Sequence, residues 1–270
     1  MNYIHFIWLG PVKIPREIID SWQPKQDDYS LLVWRDFPDE KNKNDINISE
    51  LGNFRNKKLF NTSVKNNQKS DILRLAILYK YGGVYLDCDI LKTGDQNIFE
   101  QLNKIYSNKR DFYISFEKKN CISNSFIAAF EPRNEIIDYL IDGLKNCKIT
   151  DASGKYYSVW KTTGPKYITA QLNKLKWGDI IPYHFINFGI DIAKTFTSPH
   201  FIIQNKFKIR KYNKDLRYNP VFNEIMGVQL WFGGKSHNYE NVSCATVKTT
   251  KLNYEKYLAF VKQFYALPQN

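Results

Sequence analysis

The stretch from Ser70 to Ile90 constrains the fold more than any other part of the 270-residue chain. Asp71-Ile72-Leu73-Arg74-Leu75-Ala76-Ile77-Leu78-Tyr79 is apolar on most sides, so the helix predicted over Val64 to Tyr81 is a buried one. Gly82-Gly83 ends it, because glycine enters the left-handed region without a steric penalty. Val84-Tyr85-Leu86-Asp87-Cys88-Asp89-Ile90 then alternates with period 2, as a strand does. Further strands are read at Tyr3 to Leu9, closed by Gly10-Pro11, and at Leu31 to Trp34, with a short helix from Pro15 to Trp22 between them. Strand, helix and strand in that order give an α/β class with a parallel sheet. Asp111 to Glu117 and Ile122 to Phe130 read as strands, and Asn134 to Leu144 and Leu252 to Tyr265 as helices. Residues 39–62 are polar helix and loop, and from 150 onward the pattern weakens into short strands and loops. Without a repeat or a linker, residues 1–270 are expected to form one unit.

Composition narrows the class. A hydrophobic fraction of 43% with 16% aromatics excludes a disordered chain. No window approaches the roughly 20 apolar residues of a membrane span. The start at Met1 lacks a basic region and a cleavage site, so the expected compartment is the cytoplasm. Cys88, Cys121, Cys147 and Cys244 form no C-x-x-C pair and are expected to be free thiols. A net charge of +12 favours a polyanionic partner: nucleic acid, anionic lipid or a diphosphate substrate. Gly234-Lys235-Ser236 imitates the end of a P-loop, but Gln229 stands where the earlier glycine is required. His5, His184 and His200 share no ligand spacing.

The chemistry is expected at the acidic pair. In the strand predicted over Val84 to Ile90, Tyr85, Asp87 and Asp89 face one way, with the two carboxylates about 7 Å apart. A hard divalent cation suits that spacing when a diphosphate completes its oxygen shell. Ligands of α/β sheets bind at the carboxyl ends of strands, where an acidic pair calls for a cation.

Ser70-Asp71-Ile72-Leu73-Arg74-Leu75, followed by Tyr81-Gly82-Gly83-Val84-Tyr85-Leu86-Asp87-Cys88-Asp89, closely resembles the sugar-binding D-x-D region of glycosyltransferase family 32. The opening Ile4-His5-Phe6-Ile7-Trp8-Leu9-Gly10 and the spacing of Trp22 and Trp34 match as well, so the resemblance covers roughly the first 90 residues. It implies a GT-A fold, a Rossmann-like nucleotide-binding mixed sheet flanked by helices. Residues 1–117 would then form the nucleotide-sugar half and 118–270 the acceptor half. It further implies a nucleotide-sugar donor, Mn2+ or Mg2+, and retention of anomeric configuration. Asp87 would contact ribose and metal, and Asp89 the metal. Asp71 and Arg74 would bind hydroxyls of the transferred sugar, with Arg74 also near the diphosphate. Trp8 would stack on the base, with His5, Ile7, Tyr85 and Asn124 completing the donor pocket. Thr163-Gly164-Pro165 resembles the family's T-G-P turn. Lys235-Ser236-His237-Asn238-Tyr239 resembles its histidine segment, making His237 a candidate third metal ligand, although the Ser-Trp that follows in the family is absent.

The expected reaction is hexose transfer from UDP-galactose or UDP-glucose to a saccharide acceptor of bacterial surface or capsular polysaccharide. GDP-mannose is the alternative donor. A metal-dependent phosphohydrolase and a basic nucleic-acid-binding module are the rivals from other classes. The segment Lys206, Lys208, Arg210, Lys211, Lys214 and Arg217 is the main positive cluster, suited to an anionic membrane or a lipid-linked acceptor at the inner face of the membrane. No nucleic-acid recognition motif accompanies it, so no nucleic acid is expected as partner.

Overall fold

A computed structural model of the chain describes residues 2–25, 28–92, 97–105, 111–118, 121–175, 186–187 and 227–229. Its strands are β1 (Tyr3–Trp8), β2 (Ser30–Arg35), β3 (Asp45–Asn47), β4 (Gly83–Leu86), β5 (Ile90–Lys92), β6 (Phe112–Lys118), β7 (Cys121–Ala129), β8 (Ile186–Asn187) and β9 (Gly227–Gln229). Its helices are α1 (Arg16–Ile19), α2 (Lys57–Thr62), α3 (Asn66–Tyr81), α4 (Ile98–Ile105), α5 (Glu135–Gly143), α6 (Val159–Thr162) and α7 (Pro165–Lys174).

Six strands make one mixed sheet in the order β3-β2-β1-β4-β7-β6. The run β3-β2-β1-β4 is parallel throughout, whereas β7 lies antiparallel to β4 and β6 antiparallel to β7. A second sheet joins β5, β9 and β8. The expected α/β class, with a mixed sheet flanked by helices, is what the structure has.

The pleat sorts the core into two layers. Ile4, Phe6, Val84, Leu86 and Phe126 look toward Ile19, Trp22 and the first turns of α4. Ile7, Trp34, Tyr85 and Ile127 look toward α3, α5 and α7, meeting Leu73, Ile77, Ile137 and Ile168. α3 is buried along most of its length, as its apolar run requires. The glycine pair after it is forced by close approach. At Gly83, with φ +98°, a Cβ would lie 2.4 Å from the Tyr3 carbonyl oxygen, and at Gly82 one would lie 2.5 Å from that of Phe130.

Three sequence expectations need correction. The predicted strand Val84 to Ile90 is broken: β4 stops at Leu86, Asp87 to Asp89 form a turn, and Ile90 starts β5 in the second sheet. Residues 39–62 contain β3, a 3-10 turn over Ile48–Leu51 and α2. Residues 159–174 are the helices α6 and α7, not short strands and loops. Proline occupies the first turn of α7, and Tyr167, Ile168 and Leu172 are its buried residues. The helix read at Leu252 to Tyr265 lies outside the described residues.

Candidate active site

Asp71 and Arg74 sit one turn apart on α3, and the helix is packed so that both meet the ends of β4 and β7. Asp71 is 5% exposed. Its Oδ1 accepts from Asn124 Nδ2 at 2.7 Å and faces Arg74 at 3.0 Å, while Oδ2 accepts from Thr163 Oγ1 at 2.8 Å. Burial pushes the Asp71 carboxyl up to about 6 against the opposing pull of Arg74 and of the Thr163 and Asn124 hydrogen bonds.

A guanidinium has five N–H donors, and that of Arg74 makes four hydrogen bonds and two ion pairs. Nε donates to the Ser70 carbonyl at 3.3 Å. One terminal nitrogen donates to Asp87 Oδ1 at 3.1 Å and to the Asn124 carbonyl. The other donates to Ser70 Oγ at 3.2 Å and pairs with Asp71. The guanidinium carbon lies 4.4 Å from the centre of the Tyr85 ring, and the Tyr85 hydroxyl donates to Asp87 Oδ1 at 2.6 Å. Asp71, Arg74, Tyr85, Asp87 and Asn124, all singled out from sequence, therefore form one hydrogen-bonded network, joined by Thr163 of the T-G-P turn. Ser70 is a member that the sequence reading did not assign. Its signal was its place one turn before Arg74, where helix geometry makes it a neighbour of the guanidinium.

The D-x-D segment is a turn anchored in the core. The Asp87 N–H donates to the Ser125 carbonyl, extending the β4–β7 pairing by one residue, and the Ile90 N–H closes the turn on the Asp87 carbonyl at 3.1 Å. Between them the buried Cys88 thiol donates to the Ile7 carbonyl at 3.3 Å, and burial raises its pKa well above the ordinary thiol range. The Asp87 side chain is 29% exposed and that of Asp89 is buried. Both carboxylates thus come from one tight turn at the carboxyl end of β4, not from alternate positions along a pleat.

Two aspartates in one turn suit a hard cation. Mg2+ in particular needs only one or two carboxylates when substrate phosphates and water supply its other oxygens. Asp87 Oδ1 is engaged by Tyr85 and Arg74, which leaves Oδ2 to face a ligand. Among the described residues no group of three His, Cys, Asp or Glu side chains converges, and His237 lies outside them. Among the described residues, Asp87 and Asp89 fit a cation whose other oxygens come from water or from a bound phosphate.

Several expectations about the pocket change in character. His5 is wholly buried, its Nε2 bonded to the Gly82 carbonyl at 2.9 Å and its Nδ1 accepting from Trp34 Nε1 at 3.2 Å. Burial lowers its pKa to about 4, so it is a neutral brace between β1, β2 and the α3 terminus, out of a ligand's reach. The Ile7 side chain is core, and only its carbonyl reaches the D-x-D turn. Tyr85 is 1% exposed and holds Asp87 instead of lining an open pocket. Arg74 holds Asp71 and Asp87 in place through its ion pairs and hydrogen bonds. Trp8 ends β1 half-buried, its Nε1 donating to the Val12 carbonyl at 2.7 Å. The basic segment Lys206, Lys208, Arg210, Lys211, Lys214 and Arg217 lies outside the described residues, as do His184, His200 and Cys244. Cys88, Cys121 and Cys147 are free thiols, as expected. No helix among the described residues is long and apolar enough to cross a membrane.

Comparison with known proteins bears on the same segment. Residues 15–111 match the family described as the glycosyltransferase sugar-binding region containing DXD motif. Over 208 residues the chain is 27% identical to subversion of eukaryotic traffic protein A of Legionella pneumophila, an alignment covering 64% of this chain and 31% of that protein. The chain thus spans about a third of the length of that curated relative. Among solved structures it is similar to the PaToxG glycosyltransferase, with 16% identity, coverage of 94% and 84% and a TM-score of 0.44. It is also similar to the UDP-bound glycosyltransferase domain of the YGT toxin, with 12% identity, coverage of 67% and 79% and a TM-score of 0.48. The matched segment, residues 15–111, holds Asp71, Arg74, the glycine pair and the D-x-D turn, and it is in this segment that the chain is similar to the glycosyltransferase sugar-binding region containing DXD motif.

Proposed function

We propose that this chain is a metal-dependent, retaining glycosyltransferase that takes a hexose from a UDP-sugar, UDP-galactose or UDP-glucose, and passes it to a saccharide acceptor. The observation that carries this reading is the buried Asp71–Arg74–Asp87 chain of ion pairs, which sets an acidic turn at the carboxyl end of a central parallel strand. The whole chain, 1–270, works as one unit in this reading. The positive segment 206–217 favours a lipid-linked acceptor and contact with an anionic membrane.

Each side chain has a defined task. Mn2+ or Mg2+, held by Asp87 Oδ2 and Asp89, would supply Lewis-acid stabilisation of the charge that develops on the leaving diphosphate. Tyr85 and Arg74 clamp Asp87 Oδ1 and so fix the direction in which Oδ2 faces. A carboxylate offers about four acceptor positions. Asp71 spends three on Asn124, Arg74 and Thr163, which leaves one on Oδ2 for a hydroxyl of the transferred sugar. Gly164 keeps that side approachable, since a Cβ there would stand 3.4 Å from Asp71 Oδ2 and 3.0 Å from the Trp160 Cα. Trp8, at the end of β1, offers an aromatic surface to the base, an interaction of about 1–3 kcal/mol. In a retaining transfer the acceptor attacks from the face of departure and its proton passes to the leaving phosphate, so no protein base is assigned.

Thermal unfolding of the wild type and Asp89→Ala with UDP, GDP and their sugars, in Mn2+ and in EDTA, tests the reading. Stabilisation by uridine compounds that needs Mn2+ and disappears in Asp89→Ala is the expected result. Equal stabilisation in EDTA, or in the variant, would remove the metal from the proposal. No stabilisation by any nucleotide would remove the donor site itself.

A further inference from the structure

The far end of α3 borders a second cavity, of about 330 Å3, outside the catalytic network. Lys80 follows Asp71 by nine residues, about 13 Å along the helix axis. The cavity floor is apolar, made by Leu51, Ala76 and Ile141, and its rim carries Arg55, Lys80 and Arg133 from three separate segments. Lys80 Nζ is held by the carbonyls of Glu50 at 3.3 Å and Leu51 at 3.0 Å, which fixes the position of its charge, and among the described residues it has no carboxylate partner. Arg133 has no carboxylate partner among the described residues either. Arg55 lies over the Tyr79 ring at 4.5 Å and pairs with Asp138 and Asp142 on α5, which tethers it at the rim.

The backbone around this cavity is unusual. Among the described residues, the non-glycine residues with positive φ are Asn56, at 66°, and Arg133, at 61°. Asn56 follows Arg55 and its Nδ2 donates to the carbonyl of Ile141, a floor residue, at 2.7 Å. The Arg133 N–H donates to the carbonyl of Tyr79 at 2.7 Å. Glycine would make the turn at 133 without strain. The arginine there costs conformational energy and brings a guanidinium to the cavity, and strain of this kind concentrates where a ligand is held.

We propose that this cavity is a binding site for a phosphate-bearing organic ligand, the phosphoryl group held by Arg133 and Lys80 and the organic body lying on Leu51, Ala76 and Ile141. A phosphoryl group offers several acceptor oxygens to the fork of an arginine and the point charge of a lysine. The volume falls at the lower end of small-molecule sites, roughly 300–1,000 Å3, and suits a single phosphorylated sugar or headgroup. The shared chemistry is a phosphomonoester, free in solution or displayed on a lipid.

Arg133→Gly is the informative variant, because it removes the guanidinium while relieving the positive-φ strain. The full chain is titrated by calorimetry with inorganic phosphate and with glucose 6-phosphate, in EDTA so that metal-assisted phosphate binding at the D-x-D turn is silent. It is also sedimented with phosphatidylcholine vesicles, with and without phosphatidylinositol phosphate. Binding of glucose 6-phosphate, or of the phosphoinositide vesicles alone, is expected in the wild type, and which probe binds tells the free source from the lipid one. In Arg133→Gly the affinity should fall at least about tenfold, the loss of one charge-assisted contact, while the melting temperature holds or rises and the metal-dependent response to UDP is unchanged. Lys80→Met should weaken the same probe. Wild-type affinity retained in Arg133→Gly, or no binding of any probe by the wild type, would overturn the proposal.

Discussion

The Asp71–Arg74 pair gives the sharpest test of the site, because both side chains are 5% exposed and each is the other's closest opposite charge. Arg74→Met keeps an unbranched apolar stem and deletes the charge that lies over the Tyr85 ring. Breaking one partner out of a buried pair costs about 3–5 kcal/mol. Asp71 would still accept from Asn124 and Thr163, and hydrogen bonds to a charged group are worth about 1.5–3 kcal/mol each, so the lower end, about 3 kcal/mol, is expected. Asp71→Asn keeps the volume but sets an amide N–H₂ beside donors, at about 2 kcal/mol. Were the two independent, the double variant would lose about 5 kcal/mol. Because neither then strands a buried charge, the double variant should lose about 3 kcal/mol, a coupling of about 2 kcal/mol. Urea unfolding followed by circular dichroism, extrapolated linearly, resolves a difference of that size. The coupling should shrink at about pH 5, where the Asp71 carboxyl, raised to about 6, is protonated. Additive losses near neutral pH, or a coupling unchanged at about pH 5, would refute the claim that this pair organises the site.

The same carboxyl makes stability depend on pH. With its pKa raised from 3.8 to about 6, native Asp71 holds more protons than unfolded Asp71 across that interval. Its contribution is therefore full below pH 4 and lost as pH rises through 6, by roughly 3 kcal/mol. Unfolding free energies of Asp71→Asn and wild type measured side by side should diverge in that window in the variant's favour, and parallel curves would contradict the burial argument. Gly83→Ala sets a Cβ 2.4 Å from the Tyr3 carbonyl at φ +98°, so a loss of about 3 kcal/mol or failure to fold is expected, read by thermal melting. Tyr85→Phe frees Asp87 Oδ1 from its 2.6 Å hydrogen bond and should lower donor turnover about tenfold with a loss of stability near 1 kcal/mol. Unchanged turnover would mean that Asp87 needs no such clamp.

What the sequence made legible and what it hid follow from the range of the interactions. The buried α3 and the glycine pair were readable because an apolar run and a C-cap are local signals. The D-x-D turn was misread as strand because Asp87-Cys88-Asp89 does alternate. That alternation arises from Cys88 anchoring on the Ile7 carbonyl, a contact 81 residues distant in sequence, which no local period reports. His5 was drawn into the donor pocket by its neighbours in the motif, whereas its partners Trp34 and Gly82 come from β2 and the end of α3. Thr163 was accessible only through the T-G-P resemblance, since its partner Asp71 lies 92 residues away. Arg74 was singled out from sequence, but a count of its hydrogen bonds required coordinates.

That count bears on how such a site can work. An arginine with free N–H groups could follow a departing diphosphate and reorganise as charge develops. Arg74 is held in place by four hydrogen bonds to Ser70, Asp87 and Asn124 and by its ion pair with Asp71. Its charge instead lets two carboxylates share one buried region, which neither could occupy alone at neutral pH without a large desolvation cost. One carboxylate, Asp71, is turned toward the T-G-P loop, and the other, Asp87, toward solvent through the D-x-D turn. A single side chain thereby fixes the angle between the place where a sugar hydroxyl would be accepted and the place where a cation would be bound. Donors and acceptors aimed in advance act without reorganising when charge moves, which is the main source of electrostatic catalysis in enzymes. On the proposed reading, replacing Arg74 should therefore weaken metal-dependent nucleotide binding as well as transfer, because the direction of Asp87 Oδ2 depends on the contact that Arg74 makes with Oδ1.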